Sequence, residues 1–158
     1  MPLDAARFRH TMSQLATGVT VVTARAPDGR AVGITASSVT SVSLDPPMLL
    51  VCIGREAEIH DVLLAAERFG VSVLGARQID VARRFADRAR QRLQDGEAVA
   101  SPAGVPLIPG TLARIECLRR GHLIGGDHTI VTATLEWSEV ADGRPLCYFR
   151  GAYAELGA

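Results

Sequence analysis

Lysine is absent from this sequence; all 17 basic residues are arginine. That excludes a P-loop lysine and any lysine Schiff base. Asparagine is absent as well, so no N-glycosylation acceptor exists. Cysteine is scarce: Cys52, Cys117 and Cys147 stand far apart, with no C-x-x-C. An odd, scattered set argues against a disulfide framework or a zinc knuckle, and each reads most simply as a small buried hydrophobe. Such usage suits a reducing cytoplasm. Charge of neither sign is in excess, with 17 acids against 17 bases, so nothing draws the chain to nucleic acid or an anionic membrane. No apolar run approaches the roughly 20 residues of a membrane span. The N-terminus has an acid and two bases early and does not read as a signal peptide. Catalytic templates are missing too: no G-x-S-x-G, no H-E-x-x-H, and no G-x-G-x-x-G opening a helix after a strand. A nicotinamide user built on this chain needs a non-Rossmann site.

What is present is apolar and strand-rich. Hydrophobic residues make up 47% of 158, enough for a sizeable core and suited to one domain over residues 1–158. Ala5 to Leu15 has Phe8, Met12 and Leu15 at helical spacing. Val19 to Thr23 is a β-branched run, and Pro27-Asp28-Gly29 turns it back through Ala31 to Ala36. Ser37 to Leu44 alternates and is stopped by Asp45-Pro46-Pro47, since neither proline can donate to a ladder. Met48 to Ile53 is an unbroken apolar run, read as a central buried strand. Glu56 to Ala66 and Arg77 to Arg92 read as helices, with Phe69 to Leu74 as a strand between them. Gln94 to Pro109 reads as a long mobile loop. Leu112 to Leu123 and His128 to Val140 form two long strands around Gly125-Gly126-Asp127. In the second, Val131, Ala133, Leu135 and Trp137 alternate with polar residues, the mark of a one-sided strand. Leu146 to Phe149 closes the domain. About seven consecutive strands with three short helices favour an antiparallel barrel over a doubly wound sheet.

Four segments can carry chemistry. Gly33 to Ser41 is rich in small and hydroxyl residues that let a ligand lie against the backbone, although composition alone makes it an edge strand with solvated serines. Cys52-Ile53-Gly54-Arg55 ends the buried strand with groups suited to an anion or a polar ring edge; alone it is a strand-to-helix turn. Ala82-Arg83-Arg84-Phe85-Ala86 offers guanidinium forks for phosphate, yet six arginines between Arg77 and Arg92 usually mean a solvated helix face. Gly126-Asp127-His128 is hairpin chemistry with a histidine at its exit. The other histidines, His10, His60 and His122, have no pairing at metal-ligand spacing.

In this order the segments resemble the flavin reductase family built on the FMN-binding split barrel. It includes the reductase components of two-component flavin monooxygenases. The resemblance runs from Phe8 to about Leu156. It is carried by Leu15-Ala16-Thr17-Gly18-Val19-Thr20-Val21-Val22-Thr23, Gly33-Ile34-Thr35-Ala36-Ser37-Ser38 and Ser43-Leu44-Asp45-Pro46-Pro47. Phe69-Gly70-Val71-Ser72-Val73-Leu74, Arg84-Phe85-Ala86, Gly104-Val105-Pro106-Leu107-Ile108, Gly126-Asp127-His128-Thr129-Ile130 and Pro145 to Gly151 continue it.

The resemblance implies a mainly β, Greek-key split barrel with a few short helices, acting as a homodimer with the flavin near the dimer interface. It implies FMN or FAD as flavin, NADH or NADPH as co-substrate, and a flavin-dependent monooxygenase as recipient of the reduced flavin. It sets the isoalloxazine against Thr35, Ala36, Ser37, Ser38, Cys52 and Ile53. The phosphate falls near Ser38, Ser41, Arg55 and the turn of Arg83, Arg84, Phe85 and Ala86, with Tyr153 also in the cofactor site. His128 falls beside the nicotinamide. Three positions depart from the family: Ser72 stands where asparagine is frequent, and Glu56 and Glu58 stand where serine or asparagine is. Hydride transfer needs two rings held face to face at roughly 3–3.5 Å and no obligatory acid or base, which accounts for the missing triad. Two rival readings remain: a split-barrel enzyme that keeps its flavin and acts on an organic substrate, and a flavin-binding module without catalysis.

Overall fold

The computed structural model describes residues 2–157. Helix α1 (Ala5–Met12) is started by Asp4, whose carboxylate accepts from the Arg7 amide at 2.8 Å. Strands β1 (Thr17–Gly18), β2 (Thr20–Arg25), β3 (Ala31–Ala36), β4 (Val39–Leu44) and β5 (Pro47–Gly54) follow. Helix α2 (Glu58–Ala65), strand β6 (Arg68–Val73) and helix α3 (Ile79–Ala86) come next. The short strands β7 (Val99–Ala100) and β8 (Pro106–Leu107) lead to a long hairpin of β9 (Ala113–Gly125) and β10 (His128–Val140). Strands β11 (Leu146–Phe149) and β12 (Ala152–Glu155) complete the order.

Seven strands form one antiparallel sheet in the order β3-β2-β6-β9-β10-β5-β4. Its edge strands, β3 and β4, are neighbours in sequence, joined through Ser37 and Ser38. No ladder closes the sheet between them, so the barrel is split. Yet Val22 and Val32 from one end share a single core with Val51, Ile53 and Val131 from the other, which requires the sheet to curl. Ile59 and Leu63 of α2 fill its interior, each fully buried and each contributing about 1.5–3 kcal/mol. A second apolar cluster joins Val19, Val21, Leu74 and Leu146 to Ala82 and Phe85 of α3. Strand β2 is therefore covered on both faces, as its β-branched run requires.

Several expected elements change. The run from Met48 to Ile53 is not buried on both faces: Leu49, Val51 and Ile53 point inward, while Met48, Leu50 and Cys52 are half-buried. The strand lies second from an edge, and only its inner face meets the core. Pro47 opens β5 opposite Leu44, a first-residue position where no ladder hydrogen bond is lost. The helix expected to reach Arg92 stops at Ala86, where Asp87 turns extended and accepts from the Ala89 amide. The following residues cover the edge of β3: the Gly33 amide donates to Gln91 O and the Leu93 amide to Ala31 O.

The expected long loop from Gln94 to Pro109 instead contains β7 and β8 and is pinned from outside. Thr23 donates to Pro106 O at 2.5 Å, and Ser72 accepts from the Ile108 amide at 3.0 Å. Glu116, buried on β9, accepts from Ser101, from the Ala103 amide and from Arg68. The segment shows no periodicity because its one ladder, β7 with β8, is only two residues long and distant side chains satisfy much of the remaining backbone. Ser72 thus has a structural partner, and Gly70 is required where it stands: a Cβ there would lie 2.6 Å from Leu107 and 2.8 Å from Pro106 O. Strand β12 was not expected at all. Its hairpin with β11 turns on Arg150 and Gly151, both at positive φ, the backbone that a two-residue hairpin loop demands.

Candidate functional site

Two hollows flank the corner between β3 and β4. The first has a volume of about 940 Å³ and polar walls. Thr35 of β3, Ala86 at the end of α3, and Arg88 form one side. Gly54, Arg55, His60 of α2 and His128 form the other. The sequence dictates this meeting. The register of β10 sets His128 opposite Gly54 on β5 and Gly125 on β9, and the Gly126 turn at positive φ delivers it there. Gly54 leaves room beside the imidazole; a Cβ would stand 3.8 Å from Nε2.

The polar groups of this hollow hold one another. His128 Nδ1 lies 2.8 Å from Asp127 Oδ1, and that hydrogen bond, with the adjacent charge, holds the Asp127 carboxyl below the usual aspartate range. The Arg55 amide donates to Asp127 O at 3.0 Å, fastening the β9–β10 turn to the end of β5. His60 Nδ1 lies 2.8 Å from Asp61, and its Nε2 lies 2.8 Å from the Thr129 hydroxyl. His60 is a site residue that sequence reasoning set aside, because it has no partner at metal-ligand spacing; its partners sit one and 69 residues away. Among the described residues, the side chains of Arg55, Arg83 and Arg88 make no ion pair, whereas no group of three or more potential metal ligands is assembled.

The residues expected at the site are not all brought together. Thr35, Arg55, Ala86 and His128 line the polar hollow. Ser37 and Ser38 face the second hollow, and Ser38 donates to Cys52 O at 2.9 Å. Ser41 is exposed on β4, Cys52 is half-buried and Arg83 is exposed. The rest are spent on the fold. Ile53 and Phe85 are core side chains, with Phe85 pressed under Gly33, and Ala36 is buried. The Thr35 hydroxyl donates to Ala82 O at 2.6 Å, tying α3 to β3. Arg84 does not present a free fork. It makes a bidentate pair with Glu97 at 2.5 and 2.6 Å and a third bond to Arg92 O, and the hydrogen bonds Glu97 accepts from Arg84 and from the Gln94 amide keep its carboxyl low. Tyr153 packs edge-on against Tyr148 with centroids 5.4 Å apart, and burial raises its hydroxyl above the usual tyrosine range.

The second hollow, about 640 Å³, is mostly apolar. Phe8, Met12 and Leu15 of the α1 region form one wall and Tyr148 of β11 another. These residues are 56%, 46%, 61% and 38% exposed; Phe8 and Met12 lie on α1 as expected, whereas Leu15 falls in the bend beyond its end, and the stripe is uncovered. Val42 and Leu44 on β4, and Leu123 and Ile124 beside the β9–β10 turn, are further exposed apolar residues. No helix is long and apolar enough to cross a membrane among the described residues.

Comparison with known proteins agrees with this architecture. Residues 12–157 match the flavin reductase like domain family. The FMN reductase (NADH) SmoA of Agrobacterium fabrum is 40% identical over 149 residues, covering 94% of this chain and 84% of that protein. A reductase component of Rhodococcus opacus, named for 4-nitrophenol 4-monooxygenase/4-nitrocatechol 2-monooxygenase, is 37% identical across 98% of this chain and 83% of its own. Among solved structures, BorF, the flavin reductase component of a bacterial two-component tryptophan halogenase, superposes with a TM-score of 0.90 at 38% identity, covering 98% and 99% of the two chains.

Proposed function

The chain belongs to the flavin reductase like domain family, and on that premise we propose that it is an NAD(P)H:flavin oxidoreductase supplying reduced flavin to a partner monooxygenase. One observation carries the reading: His128 stands over the open space at Gly54, in a hollow whose opposite wall is the Thr35–Ala86 side. A volume of about 940 Å³ is within the range of small-molecule sites, and unpaired Arg55 and Arg88 suit a ligand carrying phosphate. When bound together, nicotinamide gives a hydride and flavin accepts it. The chain's own task is to bind and orient. The small residues at the β3–β4 corner let a planar ring approach the backbone, with the Ser37 and Ser41 hydroxyls supplying donors while the Ser38 hydroxyl is engaged by Cys52 O. Arg55 and Arg83 take the phosphate role, and Arg84 supports them by holding residues 92–97 against α3. The His128 imidazole, fixed through Nδ1 by Asp127, presents Nε2 to the carboxamide or diphosphate of the nicotinamide nucleotide.

The assembly follows from the second hollow. We infer a homodimer in which the α1 wall and β4 are covered by a second copy, because so large a set of exposed apolar side chains is unusual on a monomer. Three free cysteines support a reducing, cytoplasmic setting. A steady-state assay crossing NADH and NADPH with FMN, FAD and riboflavin tests the function. Turnover of added free flavin is expected. Tight flavin binding with no nicotinamide oxidation would contradict it.

A further inference from the structure

His60 lies outside every role assigned so far, yet it joins the polar hollow to its frame. The imidazole is largely covered, at 12% exposure of its side chain, and both ring nitrogens are engaged. Nδ1 faces the Asp61 carboxylate oxygen and Nε2 faces the Thr129 hydroxyl, each at 2.8 Å. That hydroxyl belongs to a residue 3% exposed, and His60 is its one hydrogen-bond partner among the described residues. Thr129 is the residue next to His128, and pairs with Ile53 and Ile124 as His128 pairs with Gly54 and Gly125. The β9–β10 turn is therefore clamped twice to the segment that follows β5: by the Arg55 amide on Asp127 O, and by His60 on Thr129.

We propose that His60 is a positioning residue for the nicotinamide site: through the Thr129 hydroxyl it fixes the first residues of β10, and with them the His128 imidazole. This rests on the reading of His128 given above. The ladders to β5 and β9 and the clamp at Asp127 hold the backbone at the strand start, but none of them holds a side chain there. The His60 bond supplies a side-chain attachment one residue beyond His128. A positioned side chain half-exposed at a rim, as His128 is at 48%, has little packing of its own to hold it. Its orientation must come from the residues on either side, which are Asp127 and Thr129.

The test uses Thr129→Val, which keeps the shape and deletes only the hydroxyl, with His60→Phe, the double variant and Thr129→Ser. Two readouts are taken on the full chain. The first is the set of histidine imidazole resonances, recorded without flavin or nucleotide. The second is steady-state KM for NADH against kcat. Thr129→Val and His60→Phe are expected to shift and broaden the His128 resonances and to raise KM for NADH three- to tenfold. The double variant should be no worse than either single one, and Thr129→Ser should restore wild-type behaviour. Unchanged His128 resonances and unchanged KM in Thr129→Val overturn the proposal, whatever His60→Phe does to folding. If the wild type oxidises no NADH with flavin, the functional reading fails, and the resonances alone decide whether His60 positions His128.

Discussion

The two hollows beside the β3–β4 corner are built in opposite ways. In the polar one, His60, His128 and the Arg55 backbone each have a partner, and the walls grow from strands β3, β5 and β10 of the main sheet. In the apolar one, the α1 wall contains no buried residue, and its side chains have nothing packed over them. A hollow whose groups are already held costs little further ordering when a ligand arrives, which suits chemistry. A hollow of uncovered apolar side chains gains by being covered, which suits association. On this difference rests the proposal that hydride transfer belongs to one side of the corner and self-association to the other.

The largest effect should come from breaking the apolar side. Charging it with the pair Phe8→Asp and Leu15→Asp removes two side chains, each worth about 1.5–3 kcal/mol when covered. The dimer dissociation constant should rise roughly 10²- to 10⁴-fold in sedimentation experiments. A wild-type chain that is already monomeric at micromolar concentration and fully active would end the assignment.

The frame behind the polar side is tested at Glu116. Burial opposes its charge, but the bonds from Ser101 and the Ala103 amide and the nearby Arg68 outweigh it, so the carboxyl titrates below its ordinary 4.5. A depressed native value stabilises the fold above about pH 4.5, and that contribution fades as pH falls through the native value. Glu116→Gln should therefore cost about 1.5–3 kcal/mol at pH 7 in urea denaturation. The gap to wild type should narrow at acid pH; a gap independent of pH would show that the carboxylate charge is not what pins residues 101–103.

Much of this was legible in the sequence. The long β9–β10 strands, the turn that carries His128 and the small-residue corner at Thr35 to Ser38 all follow from alternation and turn chemistry. The β-branched run of β2 marked it as a strand, but its burial on both faces appears only in the structure. Other features depend on contacts between distant residues. Nothing local around Gln94 to Pro109 indicates that Thr23, Ser72 and Glu116 will tie it down. The arginine run after Arg77 does not reveal that Glu97 will claim Arg84 and leave Arg83 and Arg88 free. His60 looked unattached because its hydroxyl partner comes from the far end of the chain.

The two arginines of α3 sharpen the polar side. Arg83→Ala should weaken FMN more than riboflavin, by about 1.5–3 kcal/mol if it holds the phosphate. Arg84→Ala should weaken both flavins alike, since it acts by releasing Glu97 and residues 92–97. Calorimetric titration with the two flavins separates these outcomes. A phosphate-specific loss in Arg84→Ala would show that its pairing with Glu97 gives way when flavin binds.

The polar hollow is proposed to take the nicotinamide, with His128 serving it. Replacing His128 with alanine, and measuring KM for NADH beside the flavin dissociation constant on the same preparation, tests this most directly. Loss of one hydrogen bond of about 1 kcal/mol predicts a rise in KM of roughly fivefold, and a charged contact predicts tenfold or more. Flavin affinity should stay within about twofold, since no flavin contact has been removed. Flavin binding lost at constant KM for NADH would contradict the account and move His128 to the flavin pocket.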